Sequence, residues 1–163
     1  MSDPVEIVEI GERPLTGVSS CPFCCRGADG YWYFVKLGNA LPEEKINEWI
    51  FGYLAAEMGL PTPEGRVVRV GKDISAWSGG DTTEFGYGEG YGSREFASSN
   101  DIEFGQVESV NSTLQTEVLL FDWWIRNEDR KLGALGGNPN LLINQKEEVV
   151  LIDHGNAMDS EFS

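Results

Sequence analysis

Apolar and polar positions recur along the chain with periods that name most of its elements. Residues 5–10, V-E-I-V-E-I, set β-branched residues among acids and predict a strand, which Gly11 to Pro14 breaks. Leu15 to Gly30, rich in Gly, Ser and Cys, reads as a long loop. Tyr31 to Leu37, Y-W-Y-F-V-K-L, is the strongest strand signal and ends at Gly38-Asn39. A helix follows. Pro42 suits its first position, and Glu43 and Glu44 suit its positive end. Ile46, Ile50, Tyr53, Leu54 and Met58 recur at helical spacing and predict one buried stripe, stopped by Gly59-Leu60-Pro61. Arg66 to Val70 predicts another strand. Residues 71–105 interleave eight glycines with Phe85, Tyr87, Tyr91, Phe96 and Phe104 and read as an irregular, flexible connection. Gly71-Lys72 is followed by Asp73, not Ser or Thr, so the segment is no P-loop. Ser112-Thr113-Leu114-Gln115 has the capping-box pattern and opens a helix with Leu114, Val118, Phe121 and Ile125 on one face. That helix ends near Arg126-Asn127, and a polar, Gly-rich loop runs on to Pro139. Leu141–Ile143 and Glu147–Ile152 flank Asn144 to Lys146 and predict a hairpin.

Composition narrows the class. A chain of 163 residues with 40% hydrophobic and 11% aromatic residues should fold as one ordinary domain. Twelve bases against 27 acids give a net charge of −15, which argues against sequence-independent nucleic-acid binding and against anionic membrane surfaces. No apolar run approaches the roughly 18 residues of a membrane span. The acidic start, Met1 to Glu6, lacks the regions of a signal peptide, so a cytoplasmic location is expected. Residues 73–125 hold ten acids and one base, Arg94. They read as a solvated acidic face, with a docking surface for a basic partner as the functional alternative.

Cys21, Cys24 and Cys25 lie together as C-P-F-C-C. Three thiols close no disulfide framework. A zinc site needs four ligands, and the single histidine, His154, is about 130 residues away. Reduced thiols in a loop are expected.

Three polar segments each follow an apolar element that would aim them. Lys36 ends a strand, Asn127-Glu128-Asp129-Arg130 follows a helix, and Asp153-His154-Gly155 follows a strand. Asn140 lies where the connecting hairpin begins. Such an order suits transfer from a nucleotide. A lysine can hold phosphates, and a helical carboxylate, Glu48, can pair with it. An aspartate can orient or deprotonate an acceptor hydroxyl, and an Asn and Asp can hold Mg²⁺ through hard oxygens. Taken singly, each has a plainer reading: a strand-end lysine, a surface ion pair at Asp129-Arg130, a turn at Asp153 to Gly155. His154 reads as structural, and Trp123 and Trp124 read as core.

The ordered set V-K-L at 35–37, N-E at 47–48 before G-L-P-T-P, F-D-W-W-I-R-N-E-D-R, G-N-P-N-L-L-I and L-I-D-H-G-N-A-M resembles the HipA-like kinase family of bacteria. More distantly it resembles the lipid kinases, which share the D-R…N…D-G order. The resemblance covers about residues 5–159. It implies an α+β, protein-kinase-like fold in a single domain, 1–163. An antiparallel N-lobe sheet with one main helix, plus the hinge, would take about 1–98. A partial C-lobe of helix, catalytic loop and β-hairpin would take about 99–163. It implies ATP and Mg²⁺ as cofactors and a Ser or Thr hydroxyl of a protein substrate as acceptor. Gly17, Val18, Ser19 and Ser20 would cover the phosphates with backbone N–H groups. Lys36 would contact the phosphates, with Glu48 as its ion-pair partner. Asp129 would be the catalytic aspartate, and Asn140 and Asp153 would hold Mg²⁺. Asn138 rivals Asn140, which is preferred because it directly precedes Leu141-Leu142.

The sequence runs ten residues beyond Asp153, where the family's fold continues with an activation segment and a helical subdomain. Apolar surface is therefore expected beside Trp123 and Trp124. A completing chain or self-association would cover it. The alternative readings are one part of a split kinase, or a non-catalytic interaction protein using its acidic face. A lipid kinase fits less well, since basic residues for a membrane-facing surface are few.

Overall fold

A computed structural model describes residues 3–11, 22–38, 40–76, 85–133 and 136–158. The chain divides into two compact units, Met1–Lys45 with Glu64–Glu95, and Ile46–Pro63 with Phe96–Ser163. In chain order the elements are β1 (Val5–Ile10), β2 (Phe23–Gly27), β3 (Trp32–Lys36), α1 (Pro42–Glu57), β4 (Gly65–Val70), α2 (Lys72–Ala76), β5 (Gly88–Arg94) and β6 (Ser99–Asp101). A 3-10 helix (Phe104–Ser109), α3 (Ser112–Ile125), β7 (Lys131–Gly133), β8 (Gly136–Asn138), β9 (Leu141–Asn144) and β10 (Val149–Leu151) complete the set. No helix among the described residues is long and apolar enough to cross a membrane.

The first unit is a closed barrel in the order β1-β2-β3-β5-β4. This corrects the expected antiparallel sheet: four of the pairings are antiparallel, but β1 and β4 close the barrel in parallel, Val5 opposite Val68. Closure removes both sheet edges and turns one face of every strand inward. The inner faces supply Val5, Ile7, Phe23, Cys25, Tyr33, Val35, Val68 and Val70, joined by Leu37 and Phe85.

Two of these strands lie where loops were expected. β2 occupies part of the Cys-rich segment, with Phe23, Cys25 and Gly27 buried and Cys24 half-buried. The alternation was present, because a reduced cysteine packs as a small hydrophobe. Both described thiols are free, and they sit on a strand, not in a loop. β5 carries glycine at 88, 90 and 92 and pairs with both β3 and β4. Its glycines permit close approach: a Cβ at Gly92 would lie 2.6 Å from Val68 Cγ1, and one at Gly90 would lie 2.7 Å from the Lys36 carbonyl oxygen. Gly92→Ala is therefore expected to destabilise the protein by about 1–3 kcal/mol through overpacking. Urea unfolding measures this, and an unchanged midpoint would contradict the packing.

Burial pushes the Cys25 thiol up from 9.0 to about 12, with Cys24 adding to the shift. Between those values the native state keeps a proton that the unfolded chain releases. The associated stability is complete below about pH 9 and declines as pH rises, by up to about 1.4 kcal/mol per pH unit. Tyr33, whose hydroxyl donates to Asp29 Oδ2 at 2.8 Å, is pushed up to about 12 by burial first and by Asp29 second, and acts in the same direction. Urea midpoints are expected to fall as pH rises from about 9 to about 10.5, and to fall less in Cys25→Ala.

In the second unit, β10, β9 and β6 form an antiparallel sheet in that order, and β7 and β8 form a small hairpin inside the expected Asn127–Pro139 loop. Ala55, Leu60, Val118, Phe121, Ile125, Leu151 and Ala157 form the core, with Phe51, Leu54, Leu114 and Leu141 packed against it. The expected inner face of α3 is the observed one. Its cap is one residue earlier than the sequence pattern suggested: the Asn111 side chain accepts from the N–H groups of Thr113 and Leu114. α1 ends in a Schellman turn, with Leu60 N–H donating to Ala55 O at 2.9 Å and Gly59 N–H to Ala56 O at 3.0 Å.

The stripe predicted on α1 is corrected. Ile46, Ile50, Tyr53 and Met58 are exposed, and only Leu54 of that set packs on the core. The helix instead buries Glu48 and Ala55, with Phe51 and Leu54 beside them. Hydrogen bonds made by Asn47 and Glu48, described below, turn this polar side inward. Trp123 and Trp124, read as core, are 68% and 56% exposed, and Leu119 and Leu120 beside them are also exposed.

Candidate active site

The left-handed Arg126 (φ 54°) closes α3, and its N–H reaches back to Asp122 O and Trp123 O. The buried Asn127 follows, its N–H donating to Asp122 O at 2.9 Å. The Asn127 Oδ1 accepts the Asp129 N–H at 3.2 Å, an Asx turn that aims Asp129. The Asp129 Oδ2 then accepts two amide donors, Asn138 Nδ2 at 3.0 Å and Asn140 Nδ2 at 3.1 Å.

Strand register supplies the next residue. Leu141 pairs with Leu151, and the Asn140 carbonyl accepts the Ile152 N–H at 3.0 Å. Asp153 is the next residue along, so the mouth of the β9–β10 hairpin presents Asn140 and Asp153 from neighbouring positions. Both take left-handed backbone, φ 45° and 56°, conformations uncommon outside glycine and often found at functional sites.

The turn after Asp153 is tied to α1. Glu48 Oε2 accepts the His154 N–H at 3.0 Å and lies 3.9 Å from His154 Nδ1. Asn47 Nδ2 donates to Gly155 O at 3.0 Å and to Ala157 O at 2.8 Å. The His154 ring stands edge-on to Phe121, 5.9 Å between centroids.

Asp122 lies beneath. Burial raises its carboxyl above the usual range, while Arg130 and the Asn127 amide pull the other way. Arg130 Nε donates to Asp122 Oδ2 at 2.7 Å. Arg130 Nη1 donates to the carbonyls of Pro139 (3.3 Å), Ile152 (3.4 Å) and Asn140.

The sequence-predicted residues are thus distributed as follows. Asp129, Asn138 and Asn140 meet directly, and Asp153 adjoins them along the hairpin. Asn140 is buried and Asn138 is exposed. Glu48 holds the segment after Asp153. Lys36 lies in the first unit, buried at the end of β3 opposite Tyr91. Gly17, Val18, Ser19 and Ser20 lie outside the described residues, as does Cys21. Four contributors were not singled out from sequence: Asp122, Asn127, Arg130 and Asn47. Asp122 did carry a signal, as an acid placed inside the apolar run F-D-W-W-I.

The donor set suits Mg²⁺. With its amide nitrogen committed to Asp129, Asn140 keeps Oδ1 as a hard oxygen, and Asp153 adds a carboxylate. Among the described residues no group of three or more His, Cys, Asp or Glu could hold a metal. A cation here would draw its remaining ligands from phosphate and water, the usual arrangement for Mg²⁺.

The family model described as HipA-like kinase matches residues 7–163. The chain belongs to the HipA-like kinase family. A similar fold is found in the crystal structure of CtkA, a Helicobacter pylori proinflammatory kinase, at TM-score 0.64 and 12% identity. The likeness covers 99% of this HipA-like chain and 62% of that kinase, so the chain spans less than two thirds of its length. No curated protein matches the sequence. The mixed α+β architecture is that of a kinase-like structure.

Proposed function

We propose that this HipA-like chain transfers the γ-phosphoryl group of ATP to a Ser or Thr hydroxyl of a protein, with Mg²⁺. The observation that carries the reading is the Asp129 carboxylate held by Asn138 and Asn140, beside Asp153 at the hairpin mouth. In this reading the bond between the γ-phosphorus and the bridging oxygen breaks as one forms to the acceptor oxygen, and Asp129 accepts the hydroxyl proton. Two amide donors fix the carboxylate rotamer, so its unshared lone pairs face a constant direction. Asn140 and Asp153 would hold Mg²⁺, whose charge neutralises phosphate oxygens. As the family resemblance implies, Lys36 would contact the phosphates, with Glu48 as its ion-pair partner, and Gly17 to Ser20 would cover them.

Calorimetry with ATP, in Mg²⁺ and in EDTA, tests the reading. Metal-dependent binding is expected, weakened in Lys36→Ala and lost in Asp153→Asn. Radiolabel from γ-labelled ATP on a protein hydroxyl is expected to follow. A chain that binds no nucleotide in either condition would refute the proposal.

A further inference from the structure

Arg130 is a buried guanidinium in the midst of the Asp129 cluster, yet it touches the cluster through main chain. Its side chain is 7% exposed, and its partner Asp122 is 11% exposed. Removing two charges from water is costly, and such a pair seldom adds net stability over an apolar replacement. Arg130 Nη2 finds no acceptor among the described residues, an added penalty for a buried donor. A feature that stabilises so poorly calls for a role other than stability. Its acceptors suggest one. Asp122 anchors it to α3, directly below the turn that aims Asp129. Its Nη1 gathers the carbonyls of Pro139, Asn140 and Ile152. Asn140 is one candidate metal ligand, and Ile152 immediately precedes the other, Asp153. Asn140 and Asp153 both sit in left-handed backbone, which needs holding.

We propose that Arg130 is a positioning residue: clamped by Asp122, it draws the two ends of the β9–β10 hairpin together and sets the spacing of Asn140 and Asp153 from Asp129. Lysine cannot replace it, since a single ammonium has no planar fork to span a carboxylate and three carbonyls. The inference rests on the kinase reading for its functional consequence, but the positioning itself does not.

Two measurements on the full chain separate these. The first is the side-chain amide ¹⁵N–¹H signal of Asn140. In Arg130→Gln and Arg130→Lys it is expected to move to the position of a solvent-exposed amide, while amide signals of the first unit stay in place. The second is the ratio of ATP affinity in Mn²⁺ to that in EDTA. It is expected to drop about 10–100-fold in both variants, with the EDTA affinity unchanged, as for other residues that orient metal ligands. A purely structural role would lower both affinities together. Asp122→Asn, which keeps the shape and weakens the anchor, provides a milder variant should the Arg130 variants unfold, and a smaller drop of the same kind is expected. An unmoved Asn140 signal in a folded variant overturns the proposal, whether or not the chain binds nucleotide. Absent metal-dependent binding in the unmutated chain refutes the kinase reading alone, because the Asn140 signal still decides on Arg130.

Discussion

Asp129→Asn is expected to reduce phosphoryl transfer by about 10²–10⁴-fold while ATP affinity in Mg²⁺ stays within a few-fold of the unmutated chain. The substituted amide oxygen can still accept from Asn138 and Asn140, which now donate at 3.0 and 3.1 Å, so the local geometry survives while the base is lost. Asp129→Ala is expected to show the same loss of transfer. It also leaves the buried Asn140 amide without its acceptor, so its unfolding midpoint should fall where that of Asp129→Asn does not. Single-turnover assays with labelled ATP, paired with urea unfolding, separate the two effects. Equal transfer rates for Asp129→Asn and the unmutated chain would remove Asp129 from the chemistry.

Phe121→Ala is expected to cost about 3–5 kcal/mol, a large fraction of the 5–15 kcal/mol typical of a domain. Phe121 is 1% exposed, lies at the centre of the second unit's core, and meets the His154 ring edge-on. Its loss should also loosen the turn after Asp153, so metal-dependent nucleotide binding should weaken along with stability. Trp123→Ala, two residues away but 68% exposed, should change stability by no more than about 0.5 kcal/mol. Urea unfolding followed by circular dichroism checks both. The chain has two compact units, so the transition assigned to the second unit is the one to compare. Similar effects for the two variants would contradict the packing of α3.

The two barrel strands that escaped the sequence pattern share a cause. β5 has glycine where a strand usually shows apolar side chains, because its neighbours leave no room for a Cβ at Gly90 or Gly92. β2 turns Phe23, Cys25 and Gly27 inward, one aromatic followed by two small residues, an inward face that only closure of the barrel defines. The rotated face of α1 has a related origin. That helix carries apolar residues on more than one side, so the stripe of Ile46, Ile50, Tyr53, Leu54 and Met58 had a rival, and bonds from Asn47 and Glu48 to the turn after Asp153 selected the rival. For the candidate site, Asp129, Asn140 and Asp153 were legible because each lies within a few residues of the end of an element with a clear signal. Arg130 was legible only as a surface partner of its neighbour Asp129, and its pairing with Asp122 not at all, since nothing local marks a guanidinium that bonds to carbonyls 9, 10 and 22 residues further on.

By itself the sequence determined the family, the strand at 5–10 and the one read over 31–37, the two main helices, the hairpin, and the order Lys36, Glu48, Asp129, Asn140, Asp153. These depend on short-range periodicity and on motif order, both of which are written along the chain. Only the tertiary structure decided that the five strands close into a barrel, that β5 is a strand, that both Asn138 and Asn140 grip Asp129, and that Arg130 joins α3 to the hairpin mouth. Each of these is a contact between distant segments, whose energy comes from shape and from buried polar pairing, and neither quantity exists until the segments meet.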